Sequence, residues 1–180
     1  LLEGLCLLRL NRFEEAMLGL KPLLSRFKDR ELAARAAFHL GEAFAGVSRY
    51  EEAIQAYQRA IQAKHDSVWG THALFGVGWA EFQRDRCGES LKTFALYEQR
   101  KTEERQLEMW FARGSCLVQV DRRDEAAPWL QQVMREEPKH VLACESGLLL
   151  ADLFREEGRL EEASQILEDL QEVSWETSLE

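Results

Sequence analysis

The sequence predicts an all-α fold of stacked antiparallel helix pairs, and three observations predict it. A charged-then-apolar phrase recurs as "NRFEEAMLGL", "SRYEEAIQAY", "DRCGESLKTF", "DRRDEAAPWL" and "GRLEEASQIL". The small residue inside each phrase, Ala16, Ala53, Ser90, Ala126 or Ala163, falls at intervals of 37, 37, 36 and 37 along the chain. Only three prolines and eleven glycines occur in 180 residues, and strand-like alternation is scarce. A fixed period of this size is the signature of a repeat architecture.

The columns around these anchors specify helices. Gly4, Gly41, Gly78, Gly114 and Ala151 stand twelve residues before them, each small enough for two helix backbones to approach closely. Leu20, Tyr57, Phe94, Leu130 and Leu167 stand four residues after, and Leu23, Ala60, Tyr97, Val133 and Leu170 seven after. A small residue followed by large apolar ones at i+4 and i+7 is one face of an α-helix. Asn11, Ser48, Asp85, Asp121 and Gly158 open the phrases. They read as helix N-caps, with Glu14, Glu51, Asp124 and Glu161 as capping-box acids. Glu15, Glu52, Glu89, Glu125 and Glu162 complete an acidic first turn that complements the helix dipole. The paired carboxylates thus have a structural role and need no acid–base chemistry.

In order, the predicted helices are 1–10, 12–27, 31–46, 49–64, 68–83, 86–100, 103–119, 122–136, 139–156 and 159–173. They group into units at about 1–30, 31–67, 68–102, 103–138 and 139–176, one array over 1–178, the first unit lacking the start of its leading helix. Leu179 and Glu180 are expected to be a cloning remnant. No signal-peptide pattern is visible, and the opening "LLEGLCLLRL" reads as lying inside a structural unit, so a leader preceding it is compatible with the sequence.

A net charge of −9, read as spread over most of the length, disfavours nucleic acid, whose binding needs clustered Lys and Arg. No run approaches the ~20 apolar residues of a membrane helix. Cys6, Cys87, Cys116 and Cys144 form no CxxC pair and read as buried free thiols. His39, His65, His72 and His140 have no metal-ligand spacing. Gly76 and Gly78 in "FGVGWAEF" follow no strand and lack a Walker lysine, so close helix packing explains them. No nucleophile set, cofactor motif or metal site is expected.

Leu40-Gly41, Phe44, Tyr50, Ala53, Tyr57 and Ala60 in "AARAAFHLGEAFAGVSRYEEAIQAYQRAIQA" make the second unit resemble the tetratricopeptide repeat. The resemblance covers essentially the whole chain. Glu81 and Arg113 depart from it in apolar columns, Arg123 replaces the turn aromatic, and only Pro138 stands at a unit-closing proline position. It implies a right-handed α-solenoid in which each unit packs mainly on its neighbours. The longer period is similar to that of tetratricopeptide proteins of the bacterial cell envelope, such as outer-membrane assembly lipoproteins and the periplasmic partner of the Tol-Pal system. Either bacterial cytoplasm or envelope is therefore compatible.

In this family the first helix of each unit lines a concave surface that binds partner peptides. Leu1, Phe38, Phe75, Phe111 and Leu148 recur there fifteen residues before the anchors, and Trp79 and Phe82 extend the stripe from Phe75. Arg35, His72, Gln83 and Gln119 are polar neighbours, and Glu145, Asp152 and Arg155 make the later part more charged. The expected partner site is Phe38, Phe75, Trp79, Phe111, Arg35, His72, Phe82 and Gln119, with packing between units as the competing role for the aromatics. Family members that capture acidic chaperone tails use Lys, Asn and Arg where this chain has Phe38, Phe75, Phe111, Glu42, Trp79 and Ser115, so that clamp is not expected. The sequence points to a non-catalytic scaffold for a protein or peptide partner. The alternatives are self-association through exposed end units, or an accessory region of a larger enzyme or envelope-assembly protein.

Overall fold

The computed structural model describes residues 1–177, with side chains through 173. The expectation for Leu179 and Glu180 therefore lies outside the described residues. Among these residues every regular element is helical: α1 (Leu2–Arg9), α2 (Phe13–Leu20), α3 (Arg30–Gly46), α4 (Tyr50–Ala63), α5 (Val68–Phe82), α6 (Cys87–Glu98), α7 (Gln106–Gln119), α8 (Arg123–Glu136), α9 (Val141–Glu156) and α10 (Leu160–Thr177). The helix expected over 12–27 is interrupted: Lys21–Ser25 is a 3₁₀ turn with Pro22 at its start. Proline lacks the N–H that would continue the α ladder.

The chain divides into two compact units, Leu1–Thr102 and Glu103–Glu180. In the first, α1 to α6 pack in sequence order, with α1 also on α3 and α3 on α5. In the second, α7 packs on α8, α8 on α9 and α9 on α10, and α7 also meets α9. The small-on-large columns are the packing contacts. A Cβ added at Gly41 would lie 2.5 Å from the Tyr57 ring, at Gly78 2.9 Å from Phe94, at Gly114 2.6 Å from Leu130, and at Gly4 2.7 Å from Leu20. Ala16, Ala53 and Ala126 are fully buried, as is Ser90, whose hydroxyl donates to the Gly78 carbonyl at 2.9 Å. The last repeat differs. Ala151 replaces the glycine, Leu167 is 48% exposed, and among the described residues α10 packs on α9 alone.

The turn within each pair corrects the expected caps. Asn11, Ser48, Asp85, Asp121 and Gly158 have positive φ, between 55° and 78°, and are left-handed residues that end the preceding helix. Each donates its N–H three residues back, as in Ser48 to Ala45 at 2.9 Å, and the following arginine donates five back, as in Arg49 to Phe44 at 2.9 Å. This pair of bonds is the Schellman motif, which satisfies carbonyls a helix end leaves unpaired. The N-caps are the arginines Arg12, Arg49, Arg86 and Arg122, without side-chain cap bonds. The capping-box pairing is likewise replaced: Arg12 bonds Glu15 at 2.5 Å, Arg49 bonds Glu52, Arg122 bonds Glu125, and Arg159 bonds Glu162 at 2.7 Å. Arg49 and Arg159 also lie over the Phe44 and Phe154 rings at 4.9 and 3.7 Å. At Arg49 and Arg159 one guanidinium thus joins a helix end to the next helix start.

The cysteines are corrected too. Cys6 and Cys144 are free but exposed, whereas Cys87 and Cys116 are buried but not free thiols.

Candidate partner-binding face

Helix α5 carries one charged residue, Glu81, in fifteen and is apolar nearly all round, so it is covered on several sides. Its packing on α3, α4 and α6 places the aromatic stripe. Phe75 is 4% exposed and rests against Phe94 and Tyr97, with centroids 5.8 and 5.5 Å away. Phe38 is 8% exposed and meets Tyr57 at 5.8 Å. Both are underlay rather than open surface.

Trp79, about 2.8 turns along α5 from Trp69 at the helix periodicity, is half-buried. It stacks on Phe75 at 6.1 Å with 13° between planes, and Phe82 meets it at 5.4 Å. His72 and Arg35 are also half-buried. His72 lies 5.6 Å from Phe38, and the Arg35 guanidinium sits 5.0 Å over the Trp69 ring. Arg35, Phe38, His72, Phe75, Trp79 and Phe82 thus belong to the first compact unit. Phe111, half-buried, and Gln119, exposed, belong to α7 in the second.

Trp69 and His39 complete the aromatic group and were missed by self-comparison. The Trp69 column reads Leu32, Trp69, Arg105 and Leu142, so its character is not preserved between repeats. Its signal was spacing within α5, three residues before His72. His39 packs against Trp69 at 5.1 Å, and its Nδ1 is 3.1 Å from a Glu42 carboxylate oxygen. His39 Nε2 and Arg35 Nε are buried without hydrogen-bond partners. Both side chains pack on the indole, whose π face offers weak compensation for N–H and cationic groups.

The departures from the repeat pattern are accommodated individually. Glu81 is half-buried and accepts a 2.7 Å bond from the Thr93 hydroxyl of α6. Burial pushes its carboxyl above the ordinary range, with the Thr93 bond opposing. Arg113 lies 3.9 Å over the Trp129 ring. Arg123 bonds Asp121 at 2.9 Å and Glu156 at 2.5 Å, tying α8 to α9. No three His, Cys, Asp or Glu side chains gather as a metal-binding group among the described residues. No helix among them is long and apolar enough to cross a membrane.

Helix pairs of this geometry, with the small-on-large columns and a Schellman turn in each pair, define a class of helical-repeat protein. The family model described as tetratricopeptide repeat matches residues 1–67. A crystal structure of MamA is similar with a TM-score of 0.83 at 14% identity, covering 98% of this chain and 97% of that one. A MamA structure spanning residue 41 to the end, from Desulfovibrio magneticus RS-1, gives 0.81 at 13% identity over 96% and 92%. A third, MamA MSR-1, gives 0.77 at 17% identity over 97% and 94%. No curated protein matches the sequence. The tetratricopeptide-repeat match covers residues 1–67, and over the chain the fold is similar to that of the MamA structures.

Proposed function

We propose that the protein is a non-catalytic interaction scaffold whose first compact unit binds a peptide or helix of a partner protein on the face formed by α3 and α5. The tetratricopeptide fold is a scaffold for protein–protein interaction, which supports the general role. The observation that carries the finer reading is the half-buried Trp79, stacked on the buried Phe75, with the half-buried Phe82 beside it. A rigid aromatic anchored from below presents apolar area at little entropic cost, the property of binding hot spots. Trp69 and His72 extend the surface along α5, with Arg35 and Glu42 supplying charges from α3.

Peptides selected from a displayed random library on the intact protein test this. Trp79→Ala is expected to weaken them at least tenfold, corresponding to ~1.4 kcal/mol, with unchanged circular dichroism. Selected peptides that bind Trp79→Ala and Trp69→Ala as tightly as the parent overturn the reading. Phe75 is unsuited to the test, because a change there removes core packing as well.

A further inference from the structure

A second surface lies in the other compact unit, away from the aromatic face. Between α8 and α10, over the buried Ala143 and Leu150 of α9, a groove encloses about 330 Å³. That is at the lower end of ligand-pocket volumes, roughly 300–1,000 Å³. Met134 and Pro138 form one wall, and Ile166, Leu170 and Val173 the other.

The α10 wall carries three large aliphatic residues where α4 has Ala56, Ala60 and Ala63 and α8 has Trp129, Val133 and Glu136. Ile166, Leu170 and Val173 lie at i, i+4 and i+7, so they form one continuous stripe. At the corresponding positions α6 has Thr93 and Tyr97, and Arg100 lies beyond its end. Tyr97 and Val133 of α8 are 2% and 0% exposed, whereas Leu170 remains half-buried beside the groove.

Charge sets the kind of occupant. Residues 1–102 hold 15 Lys and Arg against 13 Asp and Glu; residues 103–180 hold 8 against 19. The net −9 is therefore concentrated in the second unit rather than spread over most of the length as expected above. Helix α10 has six acids and neither lysine nor arginine. One of them, Glu172, stands toward its C-terminal end, where the helix dipole favours cations. Asp169 lines the groove, and Glu137 lines the hollow continuing from Pro138 and Val173. Arg135 and Lys139 are the basic side chains at these two hollows.

We propose that the α8–α10 groove docks a basic amphipathic helix of a partner protein. Its apolar face would insert between Met134 and the Ile166–Leu170–Val173 stripe, with its lysines and arginines against Asp169, Glu172 and Glu137. Such a helix matches both features: apolar anchors at helical spacing fit a groove of this form, and its cations complement the acidic rim.

The probe is a synthetic helix of Leu and Lys with the leucines at i, i+3, i+4 and i+7, labelled for fluorescence anisotropy with the full chain. The expected result is saturable binding that Ile166→Lys and Asp169→Lys each weaken at least tenfold with unchanged circular dichroism. Asp169 is exposed, so its substitution keeps the test informative if Ile166→Lys perturbs folding. Equal binding by the same peptide with Ser for Leu, or with Glu for Lys, overturns the proposal. So does unchanged affinity in the Asp169→Lys chain. A concentration-dependent rise in mass by light scattering that Ile166→Lys abolishes also overturns it, assigning the groove to a second copy. Trp79→Ala should leave probe binding unaltered, separating this site from the α3–α5 face.

Discussion

Glu81 occupies a column that holds Leu7, Phe44, Leu117 and Phe154 in the other repeats, and α5 pays for the carboxylate through desolvation. Its pKa is raised in the fold, so the folded state favours the protonated form. Its contribution to stability is greatest below the ordinary Glu range and falls as pH rises through that range toward the elevated folded value. Glu81→Gln keeps an acceptor for Thr93 and removes the charge. Urea unfolding should show it more stable than the parent at about pH 7, with the difference shrinking by about pH 4. A larger gain in acid than at neutrality would contradict this. Glu15, Glu52, Glu125 and Glu162 act oppositely: their arginine bonds lower their pKa values, so their contribution is present above the ordinary Glu range and lost as pH falls. These pairs are solvent-exposed and screened by salt.

Residue chemistry was partly legible in the sequence. Small and large columns were, because Gly41 beneath Tyr57 is a steric fact repeated in register. The role of Asn11, Ser48 and Asp85 was not. Asn and Asp suit both N-caps and left-handed C-terminal residues, and the composition of the phrase does not say which helix owns them. The arginine one position later is the true start, its own N–H being spent on the preceding helix.

At the scale of elements, helix positions follow from periodicity and their interruptions from proline. Pro22 turns the second predicted helix into a 3₁₀ segment, whereas Pro128 stays inside α8. An interior proline removes a backbone bond and crowds the preceding turn. Pro128 is exposed, so Pro128→Ala replaces it without disturbing a buried contact. The variant should gain stability, up to about 3 kcal/mol on the helix-propensity scale. Denaturant unfolding measures the gain; a loss would mean that the ring itself packs productively. The continuous helix expected over 12–27 failed at Pro22 because repeat alignment weights side-chain columns and carries no term for a missing N–H.

For the whole molecule, the division of charge between the two units is the property that composition totals conceal. Like charges within 103–180 repel one another, and added salt screens that repulsion. Hydrogen exchange of α7 to α10 amides should slow as salt rises from about 10 to 200 mM, with much less change in α3 to α6, where positive and negative charges nearly balance. Uniform slowing throughout would show that the charge division has no energetic consequence.

The sequence alone determined the helical class, the period near 37, the helix positions to within a few residues and the face on which each pair closes. These follow from short-range rules: a 3.6-residue turn repeats the same side-chain pattern wherever the same residues recur. Only the tertiary structure decided which members of the aromatic stripe are covered. Phe38 and Phe75 are buried by Tyr57, Phe94 and Tyr97 of other helices, while Trp79 and Phe82 are only half-buried. It also brought Trp69 to His39 and opened the groove beside α10. Burial depends on what the neighbouring helices bring to a position, and a helix's own periodicity does not contain that information.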